Sequence, residues 1–70
     1  MISYSHLIDI FTGLKNNHVN VLSFNSDTNC ILINKTTSSE ILAISATLKA
    51  TGFNNEVVMI ESLTFKIRFI

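Results

Sequence analysis

Lys66 and Arg68 are the only basic side chains spaced to act as a pair, and the residues around them alternate strictly. Leu63, Phe65, Ile67 and Phe69 fall on one side, and Thr64, Lys66, Arg68 and Ile70 on the other. Period-two alternation predicts a half-buried β-strand with a cationic back. Two cations on an open sheet face could meet the phosphates of a single-stranded nucleic acid, with Tyr4 and Phe24 as stacking groups. Affinity from that source is expected to be weak, because counterion release scales with the number of phosphates neutralised. The rings at Phe65 and Phe69 belong to the side opposite the charges and are expected in the core. Charges on an exposed strand also discourage pairing with foreign strands.

Other chemistry is sparse. His6, His18 and Cys30 have no zinc-ligand spacing, and a four-ligand structural site cannot be assembled from them without carboxylate help. No metal and no cofactor are expected. Cys30 lies in the apolar run Cys30-Ile31-Leu32-Ile33 and reads as a small buried hydrophobe; cross-strand proximity to His18 is the one arrangement that could activate it. Among the carboxylates, Glu40 belongs to a helix cap and Asp27 to a turn. Glu56 and Glu61, five apart, point to opposite sides of an uninterrupted strand. Two glycines, Gly13 and Gly52, cannot build a phosphate loop. No catalytic residues are assigned, and the chain reads as non-enzymatic.

The elements that must carry these residues follow from periodicity and punctuation. Leu7, Ile8, Ile10, Phe11 and Leu14 recur at helical steps, with Ser3 or Ser5 as N-cap and Asn16-Asn17 as the stop. His18 to Phe24 favours a strand, Asn25-Ser26-Asp27-Thr28-Asn29 a turn, and Cys30 to Ile33 an antiparallel return strand. Thr37-Ser38-Ser39-Glu40 is a capping box opening a second helix, whose apolar stripe is Ile41, Leu42, Ile44 and Leu48 and whose stop is Gly52. Glu56 to Phe69 is too long for one ordinary strand, so a turn or bulge is expected at Glu61-Ser62, with a single bent strand as the alternative.

Residues 1–70 therefore read as one α+β domain in the order α-β-β-α-β-β. Two helices are expected on one face of a four-stranded, largely antiparallel sheet. A shift of 34 positions superposes Leu7 on Ile41, Ile10 on Ile44, Leu14-Lys15 on Leu48-Lys49, and Ile31 and Ile33 on Phe65 and Ile67. This matches an internal duplication, although two amphipathic helices followed by strands also align this well by chance.

Composition sets the remaining bounds. The 70 residues are 47% hydrophobic and 14% charged, against roughly 25% charged in typical soluble domains. Five basic and five acidic residues cancel, so no overall field draws the chain to nucleic acid or an anionic membrane. A lone cysteine and the absence of a signal-peptide pattern point to the cytoplasm, the acceptor-like Asn34-Lys35-Thr36 notwithstanding. No stretch is long enough for a membrane span.

Apolar residues outnumber the places that a two-layer core offers. If Ile31, Ile33, Leu63, Phe65, Ile67 and Phe69 face the helices, then Leu22, Phe24, Leu32 and Ile70 are left for the uncovered side beside Lys66 and Arg68. Val57, Val58, Met59 and Ile60 add an apolar surplus on both faces of one strand. An apolar patch with a polar rim is the anatomy of a protein interface. The six residues Leu22, Phe24, Leu32, Lys66, Arg68 and Ile70 are thus the candidate partner-binding site, for a protein partner or a second copy in a homodimer. The small size, the missing catalytic groups and an abundance of Asn, Ile, Ser and Thr without Pro or Trp resemble stand-alone proteins of phages and mobile elements. Such proteins inhibit by occluding a host protein surface. A homo-oligomeric structural protein and a weak single-stranded nucleic-acid binder using Lys66 and Arg68 are the alternatives.

Overall fold

Residues 2–70 are described by a computed structural model. Its first helix, α1 (Tyr4–Asn16), begins where the Ser3 hydroxyl accepts the His6 N–H at 3.2 Å. It stops at Asn17, whose side chain donates to the Gly13 carbonyl at 2.8 Å. The second, α2 (Ser38–Ala50), opens on a complete capping box: Thr37 Oγ1 accepts the Glu40 N–H, and Glu40 reaches back to the Thr37 N–H. Each cap satisfies backbone donors that the helix itself leaves open. Gly52, at φ +96°, takes the left-handed position after α2, a conformation that costs glycine little.

Four strands follow the helices in pairs: β1 (Val21–Asn25) and β2 (Cys30–Ile33), then β3 (Asn55–Glu61) and β4 (Thr64–Phe69). They form one sheet in the order β1-β2-β4-β3, with every neighbouring pair antiparallel. The result is an α+β fold in the order α-β-β-α-β-β. Residues 56–69 make a hairpin and not one bent strand, turning at Ser62–Leu63.

Register divides the sheet into two faces. Ile31 pairs with Ile67 and Ile33 with Phe65 at its centre, so these four share the inner face. Leu7 of α1 and Ile41 of α2 join them, with Phe69, in one buried cluster. Ile31, Ile33 and Ile67 are wholly buried, as expected for alternate positions of the two central strands.

An offset of 34 residues relates the two halves in detail. It maps cap Ser3 onto Thr37, α1 onto α2, and the first residues of β1 and β2 onto those of β3 and β4. It also maps the left-handed residues His18 and Asn29 onto Gly52 and Leu63. The Ile31–Ile67 pair becomes Phe65–Ile33, which is the neighbouring pair in the same ladder. The equivalence weakens in the hairpins, where β3 is longer than β1 and its turn is correspondingly tighter.

Four expectations need correction. β1 starts at Val21 and not at His18, because His18 at φ 65° is still leaving the helix and Val19 bonds back to the Leu14 carbonyl. Leu63 is not an inner-face residue: at φ 61° it forms the β3–β4 turn and is exposed. Leu42 is 61% exposed and off the buried stripe of α2, whose core positions are Ile41 and, unexpectedly, Ser45. Phe24 belongs to the inner face, for a reason given below.

Candidate functional site

The outer face of the sheet is built from the residues that alternate with the core. Leu32 of β2 lies between Ser23 of β1 and Lys66 of β4, and Lys66 in turn faces Val58 of β3. In the next row Cys30 lies between Asn25 and Arg68, and Arg68 faces Glu56. Ser23, Phe24, Asn25, Thr28, Cys30, Leu32, Ile60 and Lys66 line a shallow depression of about 250 Å³ on this face. Leu32 and Lys66 are half-buried in it, while Val58 and Ile60 are exposed at its β3 side.

Three of the six expected partner-binding residues, Leu32, Lys66 and Arg68, share this surface. Phe24 borders the depression, but its register is that of the inner face. A bulge between Val21 and Ser23 inserts Leu22, so Ser23 pairs with Leu32 and Phe24 with Ile31. One extra residue reverses the alternation, sending Phe24 inward. Its ring lies 4.9 Å from that of Phe11 and 6.1 Å from that of Tyr4, both on α1. Tyr4 and Phe24 are therefore not stacking groups beside Lys66 and Arg68. Leu22 is the bulged residue and is half-exposed at the β1 edge. Ile70 lies past the end of β4, its N–H bonded to the Asn54 carbonyl, and borders a separate depression with Ile2, His6 and Phe53.

Electrostatically the face is weaker than its two cations suggest. Arg68 forms an ion pair with Glu56, its cross-strand neighbour. The sequence identifies Glu56 only as a strand carboxylate facing away from Glu61; the β3–β4 register sets it opposite Arg68. Both side chains are about half exposed, so the pair fixes orientation more than it adds stability. Lys66 contributes the remaining positive charge.

Cys30 and His18, the one pairing the sequence offers for an activated thiol, lie apart. The Cys30 thiol is buried and donates to the Thr28 carbonyl at 3.2 Å. His18 is not its cross-strand neighbour: it borders a different depression with Lys35, Thr36 and Glu40. Among the described residues, no three His, Cys, Asp or Glu side chains group to hold a metal ion, and no helix is long and apolar enough to cross a membrane. A further concavity of about 270 Å³ lies between the helices, lined by Leu14, Val19, Ala43, Ile44 and Leu48.

Sequence reasoning also missed a buried polar clamp. Ser45 Oγ donates to Asn55 Oδ1 at 2.5 Å, and Asn55 Nδ2 donates to the Ser45 and Phe53 carbonyls at 3.2 and 2.9 Å. It ties α2 to the first residue of β3. A serine on the otherwise apolar buried stripe of α2 is its trace in the sequence. The chain matches no protein-family model, no curated protein and no solved structure.

Proposed function

We propose that this chain is a non-enzymatic protein-binding module that covers part of a partner's surface with the outer face of its sheet. The observation that carries the reading is the composition of that face: Leu32 and Ile60 in a depression, Val58 exposed beside Lys66, and Ser23, Asn25, Glu56, Lys66 and Arg68 as polar neighbours. An apolar centre with a charged rim suits a protein partner, in which the rim sets orientation and association rate and the centre holds the complex. Lys66 serves as rim charge, and Leu32 as the anchor. A reducing, cytoplasmic setting suits a chain with one unpaired cysteine. Inhibition of a host protein by a phage or mobile-element product is one biological use of such a surface.

Capture from cell extract on the immobilised native chain, beside its Leu32→Asp and Lys66→Glu variants, tests the proposal. A protein held by the native chain, lost with Leu32→Asp and bound more slowly by Lys66→Glu supports it, provided circular dichroism shows both variants folded. Equal capture by native chain and Leu32→Asp overturns it. So does salt-sensitive binding of a labelled single-stranded oligonucleotide that disappears with Lys66→Glu, which moves the function to nucleic acid.

A further inference from the structure

β3 is an edge strand, because the sheet order leaves it paired only to β4. It is also the longest strand of the sheet, and Val58, Met59 and Ile60 stand 42%, 64% and 53% exposed along it. Protein edges are ordinarily protected by lysine, proline, a bulge or brevity. The opposite edge, β1, carries a bulge at Leu22, near its start, and is two residues shorter. β3 has no lysine or proline, and its irregularity falls after Met59, near its end.

A second feature lies on the same flank. Ile41 of α2 points into the core, and Ser45 is turned toward Asn55 of β3. Ile44 lines the concavity facing α1. With about 100° between successive helical residues, Leu42 lies further round on the Ser45 side, away from α1. Leu42 and Met59 are both exposed, so α2 leaves part of β3 uncovered.

We infer that β3 is a dimerisation edge, to which a second copy of this chain adds its own β3 antiparallel, with Val58 of each copy meeting at the two-fold axis. Opposed residues of an antiparallel pair share a face, so a symmetric pairing must be centred on a residue. Centring on Val58 sets Val57 opposite the partner's Met59 and Glu56 opposite the partner's Ile60. No glutamate then opposes a glutamate. Centring on Glu56 or Glu61 would oppose two. On the inner face the Val58 register makes one unbroken apolar row: Ile31, Ile67 and Val57 of one copy, then the partner's Met59, Phe65 and Ile33. The zero net charge sets up no long-range repulsion between copies. Val58 and Ile60 also border the outer face, so Leu32→Asp, on a central strand away from the edge, is the variant that separates this inference from the proposed function.

The test is light scattering after size exclusion across a dilution series, together with cysteine trapping in a Cys30→Ser background. The native chain is expected at twice 7.8 kDa at high concentration, dissociating on dilution. Val58→Cys should oxidise to a covalent dimer in high yield. Val57→Cys should give at least several-fold less, since its own symmetry mate lies diagonally, beyond disulfide reach. Val58→Lys should leave a folded monomer; Met59→Lys serves as the second variant if that one fails to fold. A native monomer at every concentration overturns the inference. Equal trapping at Val57 and Val58, or a dimer that survives both lysine variants and is lost with Leu32→Asp, overturns it as well.

Discussion

Phe24 and Leu22 show how much a single residue decides here. Both are apolar, both belong to β1, and strict alternation assigns them alike to the outer face. The bulge separates them: Leu22 is exposed, and Phe24 packs on Phe11. Phe24→Ala should therefore cost about 2 kcal/mol, somewhat below the cost for a fully buried ring, whereas Leu22→Ala should cost under about 0.5 kcal/mol. Urea unfolding of the two variants measures the difference. Equal costs would mean that β1 runs without the bulge and that the faces are exchanged.

At the scale of elements, the join between α2 and β3 rests on the Ser45–Asn55 clamp as well as on apolar packing. Both side chains are buried, and their polar atoms satisfy one another and nearby carbonyls. Asn55→Ala leaves the Ser45 hydroxyl and two carbonyls without these partners, at an expected cost of about 1–3 kcal/mol. Ser45→Ala with Asn55→Ala should recover part of that loss, because the stranded hydroxyl is gone. A double-mutant cycle in denaturant reads the coupling, and strictly additive costs would show that the clamp does not act as a unit. Its loss should also loosen β3 first, which amide exchange faster in the variant than in the native chain at Val57 and Val58, with Ile31 little changed, would report.

The whole molecule has a small reserve of stability. A single core in a chain this size supplies roughly 3–5 kcal/mol, and its centre is the β2–β4 ladder, where Ile31, Ile33, Phe65 and Ile67 meet Leu7 and Ile41. Ile67 is wholly buried there. Ile67→Ala should cost about 2–5 kcal/mol, comparable with the entire reserve, and abolish the cooperative urea transition. Ile67→Val, at about 0.5–1.5 kcal/mol, should keep it. The ladder is also where the two α-β-β halves join, so the same substitution tests whether either half holds structure without the other.

Local chemistry was legible in the linear chain. The capping box at Thr37 and Glu40, the left-handed Gly52, the strand Cys30–Ile33 and the buried alternation of Phe65, Ile67 and Phe69 each depend on neighbours within a few residues. That was enough to determine element order and fold class. Partnerships across the sheet were not legible, because a one-residue bulge exchanges inside for outside and leaves composition untouched. Only the tertiary structure turned Phe24 inward, gave Arg68 its partner in Glu56, buried Ser45 against Asn55 and left β3 at an edge. Half of the expected binding residues were found together for the same reason: Leu32, Lys66 and Arg68 lie on central strands of unbroken alternation, while Leu22, Phe24 and Ile70 sit at a bulge or a strand end.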